Sequence, residues 1–151
     1  MAVSHSPRGA KFVGSYVHQL DEKGRLALPV SYRREAADQR FMLIQAYAPS
    51  LTLYPEVAWL EVEERLRDLV ARNPEARMYA LSVLSSVVEV APDGQGRILI
   101  PARQQELAEL KGQVLLVGAI DRVELWNPER FEAAVTAEAG RFRNFAPQVF
   151  R

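Results

Sequence analysis

The chain has 151 residues, of which 48% are hydrophobic and 25% are charged, and these values are ordinary for one globular domain with a sizeable core. The absence of cysteine excludes a disulfide scaffold, a thiolate metal site and a cysteine nucleophile. The formal net charge is zero, because 19 Lys and Arg residues balance 19 Asp and Glu residues. Without a long apolar stretch or a hydrophobic signal core, the chain is expected to be a soluble cytoplasmic protein.

The charges are unevenly distributed along this neutral chain. Residues 1–40 hold seven Lys or Arg and four Asp or Glu, whereas residues 41–90 hold four and seven. This asymmetry is typical of a basic face on a neutral body. A random scatter of solvated charges fits the same counts equally well.

The N-terminal part begins with a polar segment rich in Ser, Pro and Gly, which is predicted to be a flexible arm over residues 1–11. The next predicted elements are a strand (12–20), a turn (21–24), a strand (25–28), a short helix (30–37) and two strands (41–45 and 50–54). A long helix (56–73) that ends at an Asn-Pro step and a second helix (75–84) are predicted to follow.

The second half repeats this plan without the extra helix. The predicted elements are a strand (87–91), a turn (93–96), a strand (97–100), a helix that starts at 101 and two strands (114–120 and 123–126). The last predicted element is a helix (128–139) that Gly140 ends. Residues 141–151 mix aromatic residues with arginines and receive no predicted element.

One phrase occurs twice, as Asp-Glu-Lys-Gly-Arg-Leu-Ala-Leu-Pro at 21–29 and as Asp-Gly-Gln-Gly-Arg-Ile-Leu-Ile-Pro at 93–101. The Asp, the Gly-Arg pair and the final Pro match at a constant offset of 72 residues. A repeat seen twice predicts a pseudo-two-fold domain built from one supersecondary element. Neither half has enough strands to bury its own hydrophobic face, so interlocked halves in one barrel-like core are expected.

Candidate catalytic groups are few. His5 and His18 have no metal-ligand spacing, and His18 is expected to be an ordinary strand residue. Asp21 and Asp93 stand where a turn uses an Asp to accept backbone N–H groups, which explains both without a catalytic carboxylate pair. We therefore predict a protein that is not an enzyme and that uses no metal and no cofactor.

The two predicted hairpin tips are the alternative functional surface. Arg25 and Arg97 each stand beside a turn glycine, and an arginine fork suits phosphate or the major-groove edge of guanine. Lys23 adds a second cation at the first tip, where the second tip has Gln95. The other interpretation is that each Arg pairs with the Asp four residues before it. The sequence leaves both interpretations open.

With these residues, the chain resembles the MraZ family of bacterial transcriptional regulators, whose halves are similar to the AbrB-type DNA-binding hairpin. The resemblance rests on the duplicated phrase, on Leu53-Tyr54-Pro55 and on Leu125-Trp126. It implies an α+β fold, namely a duplicated AbrB-like, double-psi-type β-barrel with peripheral helices in one compact domain. It also implies a ring-like homo-oligomer that binds direct repeats in the promoter of a cell-division and cell-wall gene cluster.

The resemblance also assigns roles to residues. Arg25, with Lys23 beside it, is the first candidate for contact with double-stranded DNA, and Arg97 is the second. Apart from the resemblance, the position of Arg33 on the short first helix makes it a further candidate for a phosphate contact, and a solvated helix face is an equally good interpretation. Turn chemistry, rather than the resemblance, predicts that Asp21, Gly24, Asp93 and Gly96 shape the loops. An Asp at the first position of the turn accepts backbone N–H groups, and a Gly at the fourth position takes a positive φ.

The predicted organisation is an arm at 1–11, a first AbrB-like repeat with helices at 12–84, a second repeat at 85–142 and a tail at 143–151. The predicted function is regulation of transcription in the cytoplasm, in association with the nucleoid, and no membrane or small-molecule substrate is expected. The alternative is a homo-oligomeric interaction module of antitoxin type, whose hairpins serve subunit or partner contacts.

Overall fold

A computed structural model describes residues 11–36 and 40–150. The predictions for residues 1–10, for residue 37 at the end of the first helix and for residue 151 lie outside the described residues. The strands are β1 (Ser15–Gln19), β2 (Arg25–Ala27), β3 (Phe41–Ile44), β4 (Leu51–Pro55), β5 (Val88–Val90), β6 (Arg97–Leu99), β7 (Gln113–Gly118) and β8 (Val123–Trp126). The α-helices are α1 (Val30–Glu35), α2 (Glu56–Arg72), α3 (Arg77–Ser85), α4 (Ala102–Leu107), α5 (Pro128–Glu138) and α6 (Phe142–Val149).

The predicted order of strands and helices is confirmed, and most elements are shorter than predicted. Phe12 and Leu20, which were predicted to lie inside the first strand, form isolated bridges at either side of β1. Two differences concern the end of the chain. Gly140 does not end the helical path, because it lies in a 3-10 turn (Ala139–Arg141) that leads into α6. Helix α6 was not predicted at all.

The two halves of the chain share one six-stranded antiparallel sheet with the order β1-β7-β8-β4-β3-β5. Strand β1 from the first half pairs with β7 from the second, and β5 from the second half pairs with β3 from the first. Strands β2 and β6 form a separate two-stranded sheet. The α+β class is therefore confirmed. The six-stranded sheet is not closed, since β1 and β5 form its edges, and the AbrB-like barrel stays a prediction.

The expected hairpins form only at their tips, which corrects the prediction of a complete strand–turn–strand hairpin in each half. Beyond the first turn, β1 and β2 form no ladder with each other. The chain on the two sides of the turn meets through the Leu20–Leu26 bridge, the bond from the Asp21 N–H to the Arg25 carbonyl at 3.0 Å and the bond from Nδ1 of His18 to the Ala27 carbonyl at 2.7 Å. The strands then separate because each finds its partner in the other half of the chain.

The strand register follows the 72-residue repeat. Leu26 pairs with Ile98 at the centre of the two-stranded sheet, and Thr52 pairs with Glu124 where β4 meets β8. Each pair joins repeat-equivalent positions, so the pseudo-two-fold axis passes between their members. The duplication seen in the sequence is thus a symmetry of the strand pairing.

The main core fills one face of the six-stranded sheet. Side chains from this face, from α1 and from the buried face of the two-stranded sheet pack into one cluster. Its fully buried members include Phe12, Tyr32, Leu43, Leu53 and Leu116. Burial of side chains this large is the dominant stabilising term in folding.

A smaller cluster lies on the opposite face of the same sheet. Alternate residues of β3 and β4, Ile44 and Tyr54, turn to this face and pack against Ala58 and Trp59 of α2. Helices α5 and α6 lie outside both clusters, and α6 has no buried residue. Within the described residues, none of the helices is both long and apolar enough to span a bilayer.

We expect Leu26→Ala to lower the free energy of unfolding by about 2–5 kcal/mol, because it removes a fully buried side chain on the pseudo-two-fold axis. Urea unfolding at equilibrium measures the loss. Leu99→Ala is the control, since Leu99 lies on the partner strand with 55% of its surface exposed and should cost less than about 1 kcal/mol. Equal losses for the two variants would contradict the role assigned to Leu26 in the core.

Candidate nucleic-acid interface

The first turn is organised by the carboxylate of Asp21. Its Oδ1 accepts hydrogen bonds from the backbone N–H groups of Lys23 at 2.9 Å and Arg25 at 2.8 Å. The backbone carbonyl of Asp21 accepts from the N–H of Gly24 at 3.0 Å. Gly24 has a φ of 82°, in the left-handed region that glycine adopts without strain. Three backbone donors thus converge on one residue and fix the path of the turn.

The second turn repeats this arrangement atom for atom. Oδ1 of Asp93 accepts from the N–H groups of Gln95 at 2.8 Å and Arg97 at 3.0 Å. The N–H of Gly96 donates to the Asp93 carbonyl at 2.9 Å, and the φ of Gly96 is 78°. The two matching phrases in the sequence therefore encode two copies of one rigid turn.

Each arginine side chain also meets the aspartate of its own turn. Nε of Arg25 lies 2.8 Å from Oδ2 of Asp21, and Nε of Arg97 lies 3.1 Å from Oδ2 of Asp93. The Asp–Arg pairing that the sequence left open is therefore present. It uses one of the five donors of each guanidinium. The terminal nitrogens of both arginines have no hydrogen-bond partner among the described residues, and the side chains are 34% and 29% exposed.

The turn geometry lowers the pKa of both carboxyl groups. The backbone N–H of Arg25 is the largest cause for Asp21, and the backbone N–H of Arg97 is the largest cause for Asp93. Hydrogen bonds to the charged form of a carboxyl group favour that form. Both aspartates are thus ionised at neutral pH, and each stands beside its arginine as a full negative charge.

Both arginines project from one face of the two-stranded sheet. Arg25 pairs with Leu99 and Arg97 pairs with Ala27, on either side of the Leu26–Ile98 pair. Leu26 and Ile98 turn to the core with no exposed surface, so the arginines lie on the opposite, outward face. Such diagonal neighbours in an antiparallel pair lie about 7–8 Å apart. The strand pairing therefore brings two arginines together that are far apart in the sequence.

Each turn is fixed to the other half of the chain. The carbonyl of Gly24 accepts a hydrogen bond from the N–H of Ile100 at 2.7 Å, and the carbonyl of Gly96 accepts from Leu28 at 2.9 Å. These two bonds are equivalent under the 72-residue repeat. A turn that is bonded to a neighbouring strand cannot rotate freely, so both arginines are presented from a fixed backbone.

The structure places Arg33 beside the second turn rather than the first. Its Nε donates to the carbonyl of Leu28 at 3.1 Å, and a Cβ atom on Gly96 would lie 2.5 Å from its Nη1. Gln105, the repeat-equivalent residue on α4, packs on Gly24 in the same way. Sequence reasoning did not identify Gln105, although the 72-residue offset from Arg33 points to it.

The site residues fall into two groups in the structure. The first turn brings together Asp21, Lys23, Gly24 and Arg25, and the second brings together Asp93, Gly96, Arg97 and Arg33. His18 is a strand residue whose Nδ1 donates to the Ala27 carbonyl at 2.7 Å. In the described ranges, no group of three or more His, Asp or Glu residues is arranged to hold a metal ion.

The fold and these two turns define a duplicated α+β protein whose repeats exchange strands and present matching arginines. The family described as "MraZ protein, putative antitoxin-like" matches this chain twice, over residues 12–81 and 83–148. The chain belongs to the MraZ family. Each matched segment contains one copy of the duplicated phrase.

Individual relatives support the same assignment. A protein from Desulfitobacterium hafniense is 41% identical over 116 residues, which cover 77% of this chain and 80% of the relative. A protein from Moorella thermoacetica is 37% identical over 138 residues, which cover 91% and 96%. A protein from Pseudomonas syringae pv. syringae is 37% identical over 131 residues, which cover 84% and 87%. Each of these relatives is named as a transcriptional regulator and not as an enzyme.

The lowered pKa values give the turns a defined pH dependence. A carboxyl group whose pKa is lower in the folded state contributes stability that is fully present above its unfolded pKa, near 3.8 here. That stability is lost as pH falls through the folded pKa. The double variant Asp21→Asn/Asp93→Asn keeps a side-chain acceptor in each turn but removes the charge.

We therefore expect the wild-type protein to exceed this variant in urea midpoint by a constant amount above about pH 5, and by less below about pH 3.8. Urea unfolding across this pH range measures the difference, and the other carboxyl groups titrate alike in both proteins. A difference that grows as the pH falls would contradict the role assigned to the two carboxylates.

Proposed function

We propose that this protein is a sequence-specific DNA-binding transcriptional regulator that works as a homo-oligomer. It binds double-stranded DNA through Arg25 and Arg97, with Lys23 and Arg33 as further cations. Its target is a set of direct repeats in the promoter of a division and cell-wall gene cluster. It acts in the cytoplasm at the nucleoid.

The observation that carries this proposal is the pair of arginines on one outward face. Each guanidinium is held at Nε by an aspartate of its own turn, which leaves terminal nitrogens for an external acceptor. A preoriented arginine gives up little side-chain entropy on binding, and its fork fits phosphate or the O6 and N7 atoms of guanine. The names of the relatives, which are transcriptional regulators, agree with this chemistry.

The balance of charge explains why oligomerisation belongs to the proposal. The loop at 21–25 carries two positive and two negative side chains, and the loop at 93–97 carries one of each. A neutral loop offers few net phosphate contacts and binds weakly by itself. Several copies on one oligomer raise the effective concentration of the next contact, which increases avidity by about 10²–10⁴.

Two exposed apolar surfaces support assembly with further copies of the chain. Helix α6 exposes Phe142, Phe145 and Val149, all on a segment without buried residues. A groove of about 350 Å³ between α2 and α3 is lined mainly by apolar side chains, among them Leu66 and Leu81. Apolar patches of this kind mark protein interaction surfaces.

The double variant Arg25→Ala/Arg97→Ala tests the DNA contacts. A charge-assisted hydrogen bond is worth about 1.5–3 kcal/mol, so we expect the affinity for promoter DNA to fall at least tenfold. The slope of log affinity against log salt should also decrease, by about 0.9 for each phosphate that the variant no longer neutralises. Fluorescence anisotropy with DNA from upstream of the reading frame measures both quantities.

The matched control is Arg65→Ala, which removes one exposed arginine from α2. It should change the affinity by less than the turn variants, while size-exclusion chromatography shows the same oligomer for all proteins. Unchanged DNA binding by the double variant contradicts the proposal. A double variant with an altered oligomeric state instead favours the antitoxin-type interaction module.

Phe145→Glu tests the proposed assembly surface. A charge in an apolar contact is costly to bury, so we expect this variant to form a smaller assembly in light scattering. Leu60→Glu is the control, because Leu60 on α2 has the same 57% exposure as Phe145 but lies outside α6 and outside the α2–α3 groove. An unchanged mass for the Phe145 variant contradicts a role of α6 in assembly.

A further inference from the structure

The two turns differ in the origin of their second cation. The first turn has Lys23 in its loop, and the second has Gln95 at the equivalent position. The side chains that pack on the two turns carry the positive charge in the reverse order. Gln105 packs on the first turn, and Arg33 packs on the second. The cation is thus on the loop in one copy and on the short helix in the other.

Arg33 reaches the second turn from the opposite half of the chain. It belongs to α1 of the first repeat, yet a Cβ atom at Gly96 would lie 2.5, 2.6 and 2.7 Å from its Nη1, Cζ and Nε atoms. The plane of the guanidinium therefore covers the turn glycine. Its Nε is fixed by the Leu28 carbonyl at 3.1 Å, and no carboxylate among the described residues forms an ion pair with it.

Gln105 shows what the same position does without a charge. Its Nε2 donates to the carbonyl of Ile100 at 2.7 Å, which is the repeat equivalent of the Arg33–Leu28 bond. The same amide lies 2.6 Å from where a Cβ atom on Gly24 would stand. A glutamine therefore satisfies the structural requirement of this position, and an arginine is not needed to hold the turn.

We infer that Arg33 and the second turn form one composite DNA phosphate site, in which Arg33 supplies the cation that Lys23 supplies at the first turn. This inference rests on the proposed DNA-binding function. With Arg33, the second tip has one more positive than negative side chain, whereas the first tip with Gln105 is neutral. The second tip is the one with the net attraction for the DNA backbone.

The two sites also differ in the kind of contact they offer. Lys23 is exposed on a flexible four-carbon chain and acts as a mobile point charge. Arg33 is half-buried, and its guanidinium is fixed by a backbone carbonyl and by contact with Gly96. A fixed planar fork binds a phosphate in a defined orientation. The second tip is therefore suited to setting the register of the protein on the DNA backbone.

Arg33→Gln tests this inference, because it introduces at the second turn the residue that already packs on the first. We expect the thermal midpoint and the oligomeric state to stay unchanged. The affinity should fall by the same factor for promoter DNA and for a scrambled duplex. The slope of log affinity against log salt should decrease by about 0.9 for each second turn that contacts a phosphate in the complex. Arg65→Gln is the charge-matched control and should leave the slope unchanged. A salt slope for Arg33→Gln equal to that of Arg65→Gln overturns the inference.

Gln105→Arg is the reciprocal variant, and its result can be interpreted even if the Arg33→Gln variant does not fold. It places a fixed guanidinium on the first turn, so it should raise the affinity and increase the salt slope by a similar amount. No gain in slope contradicts the composite site. If the Arg25→Ala/Arg97→Ala variant binds DNA like the wild-type protein, the proposed function itself is wrong. If that variant no longer binds DNA, and both Arg33→Gln and Gln105→Arg leave the salt slope unchanged, only the composite site is wrong.

Discussion

The hydrogen bonds of two aspartate carboxylates are the constraint on which the proposed interface depends. In each turn one carboxylate oxygen accepts two backbone N–H groups, and the other oxygen accepts the Nε–H of the arginine that follows. The carboxylate thereby fixes the loop and the side chain together. Because the contact uses Nε, the terminal nitrogens of the guanidinium keep their donors for another acceptor. The Asp–Arg contact therefore orients the arginine side chain as well as pairing two charges.

Strand exchange between the repeats gives these turns their fixed positions. Each turn carbonyl accepts a hydrogen bond from the strand end of the other repeat, and each turn glycine is covered by a side chain from the other repeat's short helix. Neither turn is therefore complete within its own half. The two repeats differ at positions 23, 33, 95 and 105, yet both turns keep the same backbone. The backbone contacts need only a side-chain donor on the short helix, which Arg33 supplies at one turn and Gln105 at the other.

The local features could be predicted from the sequence. The turn positions, the positive φ of Gly24 and Gly96 and the order of strands and helices all follow from residue types at fixed spacing. Partner choice did not follow, because β1 and β2 look like one hairpin in sequence and only tertiary packing directs them to β7 and β6. Helix α6 was missed because its aromatic residues have no buried position within the described chain, and the contact of Arg33 with Gly96 was missed because it joins distant residues.

Protection of arginine side chains from a dicarbonyl reagent, followed by mass spectrometry, probes the proposed interface without any substitution. We expect promoter DNA to protect Arg25 and Arg97 from modification and to leave Arg65 on α2 as reactive as in the free protein. Equal reactivity of Arg25 and Arg97 with and without saturating DNA, together with protection on α2 or α6, would instead place the DNA-binding surface away from the two turns.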